Sequence, residues 1–251
     1  MTQQSQWVRG ALVLGALLAF GLITAAALLG YNARIAASQR QSITVKGLAE
    51  KPVKADRAEL NLSHESRGAS PAEALRRLRE QKPQLDSFFK DQGFTTEQIE
   101  IGAENFFPVF KHTDKGMPTE IVDHYDAGQA FVLRSQNVEQ IAKAQRATLS
   151  LRENGLALEV GQPQYLVSSL EEMKMSLIGN ATQNAFARAG EFARNGNAKV
   201  GQMKSASQGA FYILPATGRS EADSDYGGAY DKSTIDKIAR VVVTIEYAIQ
   251  P

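Results

Sequence analysis

Residues 57–93 read RAELNLSHESRGASPAEALRRLREQKPQLDSFFKDQG, and the spacing of their hydrophobic residues changes partway along. Ala58, Leu60 and Leu62 alternate with polar residues, which is the period of a strand with one buried face. After Ser70 the apolar residues recur every three or four positions, as on one side of a helix. A strand followed directly by a helix is typical of an α+β domain.

The helix in this stretch has clear signals at both ends. Ser70 is the expected N-cap, Pro71 fits the first helical position, and Glu73 completes a capping box. Gly93 suits the left-handed residue that follows a helix, and Pro83 predicts a bend within it. The expected buried face consists of Leu75, Leu78, Leu85, Phe88 and Phe89.

The chain beyond residue 93 continues as strands and helices. Residues 97–110 and 119–135 predict a hairpin around the turn at 113–118. A second helix begins at Asn137, with Gln140 as its capping partner, and ends at 154–155. Its predicted apolar face is Val138, Ile141, Ala142 and Leu149.

The last third of the chain predicts a strand at 156–167, a third helix and two final strands. The helix runs from 168 or 169 to 195–196, and the strands cover 199–213 and 237–249 on either side of a polar loop at 215–233. The strand at 237–249 is rich in β-branched residues and is expected to lie centrally in its sheet. The helix carries a ridge at four-residue spacing that would let it lie close to a sheet: Met173, Leu177, Ala181, Ala185, Ala189 and Ala193.

The predicted architecture is therefore α+β, with an antiparallel or mixed sheet of about seven strands packed against three helices. One transmembrane helix is expected to precede this domain, because residues 10–30 are apolar and carry no charge. A membrane-spanning helix needs roughly 20 such residues, and Trp7 and Tyr31 flank the run as interfacial aromatics do. The alternative is a cleaved signal peptide with small residues at Ala25 and Ala27, but its apolar region is usually shorter.

These features divide the chain into four parts. Residues 1–9 form an N-terminal cytoplasmic stub, 10–31 the transmembrane anchor or uncleaved signal, 32–41 a linker, and 42–251 the α+β domain. Arg9 precedes the anchor while Arg34 and Arg40 follow it, so charge alone does not orient it.

Composition excludes several classes of function. The 251 residues carry 28 lysines and arginines against 27 acids, so no basic excess indicates nucleic acid binding. The absence of cysteine excludes disulfides, thiolate metal sites and cysteine nucleophiles. Motifs for serine hydrolases, P-loops and dinucleotide binding are also missing from the sequence. Neither a cofactor nor enzyme activity is expected.

The residues that could bind a metal lie around the predicted hairpin. Imidazole and carboxylate groups are ligands for zinc and related ions, and a hairpin loop could bring them together. Their spacing matches no metal motif. The favoured interpretation is that they are ordinary polar residues at the exposed end of a hairpin, and no metal is expected. The residues concerned are His112, Asp114, Asp123, His124 and Asp126.

Three further groups of residues could take part in chemistry or binding, but a structural role is expected for each. His64 falls in the apolar register of its strand and is expected to be a packed residue. The loop with Glu221, Asp223, Asp225 and Asp231, together with Gly227 and Gly228, lacks the ligand order of a calcium loop and is expected to be solvated. The third group is an aromatic cluster that is expected to pack in the core or in an interface: Phe106, Phe107, Phe110 and Tyr125. It is not expected to bind nucleic acid, because Lys111 and Lys115 are too few basic residues for that.

Three stretches of the chain occur in an order typical of a known family. The first is ITVKG at 43–47 with KADRAEL at 54–60, the second is DQG at 91–93 with IEI at 99–101, and the third is the alanine ridge (Ala181, Ala185, Ala189 and Ala193) with NG at 195–196 and VG at 200–201. Together they resemble the SIMPL domain family of bacterial envelope proteins. The chain departs from the family pattern where Ala55 replaces a proline and where Pro83 interrupts the first helix.

Together with the predicted anchor, the resemblance implies a single-pass inner-membrane protein whose C-terminal domain faces the periplasm and self-associates. It also implies a connection with envelope or oxidative-stress responses and no established enzyme activity or cofactor. Three hypotheses follow, in order of preference: a self-assembling or partner-binding module, a sensor for a small ligand or metal, and an unrecognised hydrolase that uses Asp123 and His124.

Overall fold

The structure is a computed structural model that describes residues 15, 17–31, 41–217 and 229–250. Residues 17–31 are helical and form α1. The remainder of the predicted anchor, residues 10–14 and 16, and the linker at 32–40 lie outside the described residues. In the described part of the chain, no helix is both long enough and apolar enough to cross a membrane.

The domain that follows is α+β, as predicted. Its described residues form three α-helices, a short 3-10 helix at Thr96–Gln98 and nine strands. The helices are α2 (Pro71–Asp91), α3 (Val138–Glu153) and α4 (Leu170–Asn195). The strands are β1 (Ser42–Lys54), β2 (Arg57–Gly68), β3 (Ile99–Ile101), β4 (Asn105–His112), β5 (Pro118–Ser135), β6 (Ala157–Val160), β7 (Gln164–Leu166), β8 (Lys199–Pro215) and β9 (Asp236–Gln250).

The described strands form two sheets, where the sequence predicted one sheet of about seven strands. One sheet has the order β1-β9-β8, and the other has the order β3-β5-β2-β6, with β4 also paired to β5 and β7 to β2. The strand count is higher because two predicted strands are each divided in two. Residues 102–104 separate β3 from β4, and residues 161–163 separate β6 from β7. Gly102, Gly161 and Pro163 lie in these breaks, where such residues weaken a ladder.

The chain divides into two compact units. The first consists of Met1–Ala49, Ser176–Gly209 and Val241–Pro251, so far as these residues are described, and the second of Glu50–Met175 and Ala210–Arg240. In the second unit, α2 and α3 contact β2 and β5 and cover one main core. Its fully buried members include Leu60, Phe89 and Phe131. The predicted alternation in β2 is confirmed, since Ala58, Leu60 and Leu62 are all buried.

The ends of α2 follow their sequence signals. The amide of Glu73 donates to Ser70 Oγ at 3.2 Å, and Glu73 Oε2 accepts from the amide of Ala69 at 3.0 Å. Gly93 has a φ of 79° directly after the helix, and Pro83 lies inside a helix that continues through it. The buried face comprises Ala74, Leu78, Leu85, Phe88 and Phe89, with Leu75 half-buried.

In α3 the cap was predicted correctly and the apolar face was predicted only in part. Asn137 Oδ1 accepts from the amide of Gln140 at 3.3 Å. Leu149 is exposed, contrary to the prediction, while Leu151 is buried. The buried face repeats every three to four residues from Ile141, and Leu149 lies off that line: Ile141, Ala144, Thr148 and Leu151.

In the first unit, α4 lies very close to β1. All six ridge residues of α4 are buried, as predicted, and all but Met173 belong to this unit. Arg188 Nη1 donates to the carbonyl of Lys46 at 3.2 Å, and the amide of Leu48 donates to Asn184 Oδ1 at 3.1 Å. The central position predicted for the last strand is confirmed, since β9 lies between β1 and β8.

Candidate functional site

The most unusual surface of the second unit is the far end of the β4–β5 hairpin. Pairing of β5 with β2 extends only as far as Tyr125, opposite Gly68. Residues 118–124 of β5 therefore pair only with β4, through contacts such as Val109 with His124 and Phe110 with Val122. We call residues 105–124 the arm. Its turn includes Gly116, whose φ of 76° suits glycine.

The arm exposes many large apolar side chains. Met117 at its turn is 65% exposed and Ile121 is 63% exposed. Single exposed apolar residues are ordinary on a protein surface, whereas a group of them on one element indicates an interaction site. The exposed apolar residues of the arm are Phe106, Phe107, Phe110, Met117, Ile121 and Val122.

The aromatic cluster predicted from the sequence is thereby divided. Tyr125 is half-buried and packs against the small cluster of Ala74, Leu78 and Ala127. The three phenylalanines of the cluster are exposed, so they are not part of a core in the described chain. Packing of these three side chains in an interface stays a prediction.

The charges of the arm differ between its strands. Lys111 is in β4, while Glu120 and Asp123 are in the part of β5 that extends beyond β2. Among the described residues, the side chains of Lys111 and Glu120 form no ion pair. The two strands of the arm therefore present unlike charges to their surroundings.

At the base of the arm, one histidine lies between two carboxylates. His124 Nδ1 is 2.9 Å from Asp123 Oδ2, and His124 Nε2 is 3.4 Å from Asp126 Oδ1. Arg67 Nε donates to Asp126 Oδ1 at 3.3 Å. The hydrogen bond with His124 lowers the pKa of Asp123. This carboxylate group is thus already paired with cationic or titratable side chains.

The remaining members of the metal hypothesis do not join this group. His112 pairs with Pro118 near the turn, and no described contact brings it or Asp114 to His124. Within the described residues, no group of three or more histidine, aspartate or glutamate side chains could hold a metal ion. Asp123 and His124 do contact each other, and a hydrolase using them stays an untested hypothesis.

His64 is packed in the second unit. It is 1% exposed, and its Nδ1 lies 3.2 Å from the carbonyl oxygen of Ala157. Burial lowers the pKa of His64, and the hydrogen bond with Ala157 only partly offsets this effect. An imidazole that favours its neutral form in a closed environment has a structural role here.

The acidic loop can be described only in part. Glu221, Asp223 and Asp225, with Gly227 and Gly228, lie outside the described residues. Asp231 lies inside them, and it accepts hydrogen bonds from Ser233 and Thr234.

A buried ion pair completes the surroundings of Asp231, and sequence reasoning did not find it. Lys237 Nζ lies 3.0 Å from Asp231 Oδ2 and 2.6 Å from the carbonyl of Asp231, and the side chain of Lys237 is fully buried. Burial would raise the pKa of Asp231, but the hydrogen bonds from Thr234, Ser233 and Lys237 hold it far below its usual range. The signal was available, since Lys237 shares the alternating register of Val241 and Val243 in β9.

Asp56, in one of the stretches that resemble the SIMPL family, links two loops of the second unit. Its Oδ1 accepts from the amide of Ser168 at 2.9 Å, and its Oδ2 accepts from the Ser168 hydroxyl. The amide of Val167 donates to the Tyr230 hydroxyl at 2.8 Å. These contacts join the β1–β2 turn, the segment after β7 and the loop before β9, which is a structural role.

Three depressions in the described surface, beside β1 and α4, at the start of α3 and along α2, contain nothing that indicates a ligand. One of about 560 Å³ lies at the start of α3, beside Arg134, Glu59 and Asn137. Arg134 already pairs there with Glu59 at 3.0 Å and with Glu100. The arm is therefore the best candidate functional surface.

The sequence of the chain matches a known protein family. No curated protein matches the chain. The profile of the SIMPL family, described as a protein of unknown function (DUF541), matches residues 43–247, which is most of the chain. The match confirms the resemblance seen in the first strands, the first helix and the alanine ridge. The chain is a member of the SIMPL family.

Proposed function

We propose that this protein is anchored in the inner membrane by residues 10–31 and acts in the periplasm by binding copies of itself or another envelope component, without catalysis. The arm is the surface through which it associates. The observation that carries this proposal is the group of exposed apolar side chains on the β4–β5 hairpin, of which Phe110, Met117, Ile121 and Val122 lie on the two-stranded part beyond the end of β2.

The physical argument concerns the stability of the arm. A two-stranded hairpin is at best marginally stable in water, and its unpaired backbone groups can pair with another chain. Exposed Phe110, Met117 and Ile121 add apolar area that gains free energy when it is covered. A binding partner would satisfy both needs at once.

Self-association through the arm predicts a change in mass when the arm is made polar. The full chain in mild detergent should have a mass above that of the monomer over about a hundredfold dilution, as measured by sedimentation. Ile121→Ser should weaken association about tenfold or more, because covering an isoleucine side chain contributes about 1.5–3 kcal/mol.

Leu149→Ser is the matched control, since Leu149 on α3 is 61% exposed and Ile121 is 63% exposed. It should leave the mass unchanged. A wild-type monomer at every concentration, or equal effects of the two variants, would contradict association through the arm.

Anchoring is supported by the sequence of residues 10–31 and by the apolar, exposed side chains along α1, such as Leu17, Phe20 and Leu22. The full chain should stay with the membrane after an alkaline wash. Leu22→Arg should release a large fraction, because a charge in the middle of a span costs about 2.5–3.5 kcal/mol. Gln41→Arg, beyond the segment, should not. Release of the wild-type chain would contradict anchoring.

The resemblance to envelope proteins supports a role in envelope or oxidative-stress responses. Cells that lack the protein should survive detergent or peroxide less well than cells that carry it, and the Ile121→Ser variant should restore survival only in part. Equal survival with and without the protein would contradict this role.

A further inference from the structure

The arm has two free backbone edges, on opposite sides. Among the described strands, β4 pairs only with β5, so its outer edge is open. On the other side of the arm, β5 is open along residues 118–124, because its pairing with β2 ends at Tyr125. Each edge can accept one further strand.

We propose that a second copy of this chain docks on the arm head to tail, so that the outer edge of β4 in one copy pairs with the open edge of β5 in the next. This inference rests on the proposed function of the arm and specifies its partner and its pairing. The charges of the two strands favour this pairing, and the position of a proline in β4 limits where it can occur.

Charge distinguishes the possible pairings. Lys111 is the charged residue of β4 apart from the titratable His112, whereas the open part of β5 carries Glu120 and also Asp123, which is paired with His124. Pairing β5 with β5 of another copy would place acids beside acids, and pairing β4 with β4 would place lysine beside lysine. Only β4 against β5 brings unlike charges together, and like charges directly opposite on neighbouring strands are destabilising.

Proline limits where the strands can pair. Pro108 lies in β4 opposite Tyr125, and a proline in a strand is tolerated where its missing N–H would face away from the ladder. The outer edge of β4 therefore lacks a donor at Pro108. Pairing with the next copy is therefore favoured between Pro108 and the turn of the hairpin, over residues 109–112, which include Lys111.

Head-to-tail pairing uses two different surfaces of each copy. Such an interface produces a closed ring or an open filament, whereas a symmetric pairing would stop at a dimer. It also places Ile121, Val122 and Phe110 beside a neighbouring arm, where these exposed side chains are covered.

The experiment compares two charge reversals, separately and mixed, in the full chain in mild detergent. Lys111→Glu places a second carboxylate beside Glu120 of the neighbouring copy, and Glu120→Lys places two lysines together. Each variant alone should associate about tenfold more weakly than wild type or worse. An equimolar mixture should recover association, because each variant supplies the charge that the other needs.

The mixture separates contacts between copies from effects within one arm. Every arm in the mixture still carries its own reversed charge, so recovery can arise only between molecules. Lys143→Glu, at an exposed position on α3, is the control and should associate as wild type does.

The outcomes distinguish the two proposals. If Ile121→Ser weakens association but the mixture does not recover it, head-to-tail pairing is wrong and the arm remains the interface. If Ile121→Ser has no effect, the arm is not the interface and both proposals fail. A mass fixed at a dimer would also overturn the head-to-tail arrangement.

Discussion

Gly47 of β1 lies so close to Ala181 of α4 that a Cβ at position 47 would be 2.0 Å from the Ala181 carbonyl oxygen. The same Cβ would be 2.8 Å from the Cβ of Ala185. Both obstacles belong to the buried face of α4, and one of them is backbone, so neither can move aside cheaply. The ridge of small residues and this glycine together set the spacing of helix and strand in the first unit.

Gly47→Ala should therefore lower the free energy of unfolding by about 2–3 kcal/mol, because overpacking forces the backbone to shift. Denaturant unfolding followed by circular dichroism measures the change. Gly190→Ala is the control, because Gly190 lies in α4 and an added Cβ there meets nothing within 4 Å. It should be neutral or stabilise by up to about 1 kcal/mol through helix propensity. Similar losses in both variants would contradict the close approach at Gly47.

The buried pair of Lys237 and Asp231 predicts a strong effect of removing one partner. Lys237→Met keeps the long side chain but leaves the Asp231 carboxylate without its cation, and such losses cost about 3–5 kcal/mol. The double variant Lys237→Met, Asp231→Asn should recover part of this loss, since asparagine can still accept from Ser233 and Thr234. A double variant no more stable than Lys237→Met would show that the carboxylate charge is not the cause.

His64 predicts a pH dependence of stability with a definite sign. Its pKa in the folded chain lies below the ordinary value of 6.5, so the unfolded chain binds the proton more readily. Stability is therefore complete above pH 6.5 and decreases as the pH falls below that value, by at most about 1.4 kcal/mol per pH unit.

Urea unfolding at several pH values between about 5 and 8 measures this dependence. His64→Gln should remove most of the decrease between pH 6.5 and the lower folded pKa, although it also changes the packing and lowers stability at every pH. An unchanged slope in His64→Gln would assign the pH dependence to another group.

The parts of the fold that local chemistry determines could be predicted from the sequence. The cap at Ser70, the glycine stop at Gly93 and the buried ridge on α4 depend on residues near each other in the chain. The division into two sheets could not, because it depends on pairing between distant strands. Residues 97–110 alone give no sign that β3 and β4 pair with different parts of β5.

The candidate site shows the same limit. An aromatic cluster around Phe106 and Phe110 is visible in the sequence, but alternation cannot tell whether a face is covered by the chain itself or by a partner. For Phe110, which lies opposite Val122, that distinction depends on β2 ending opposite Tyr125, which leaves the outer part of the hairpin without a third strand. The buried Lys237 was overlooked because lysine is almost never fully buried unless it is paired.

The apolar face of α3 offers a direct test of one correction to the sequence-based prediction. Leu151 is 6% exposed within the main core, whereas Leu149, which the sequence placed on the buried face, points to solvent. Leu151→Ala should lower the free energy of unfolding by about 2–5 kcal/mol, through lost burial and the cavity that remains. Leu149→Ala should change it by less than about 0.5 kcal/mol, as surface substitutions usually do. Denaturant unfolding of the two variants side by side decides the matter: the reverse order would mean that α3 is rotated from the orientation described, with Leu149 facing the sheet.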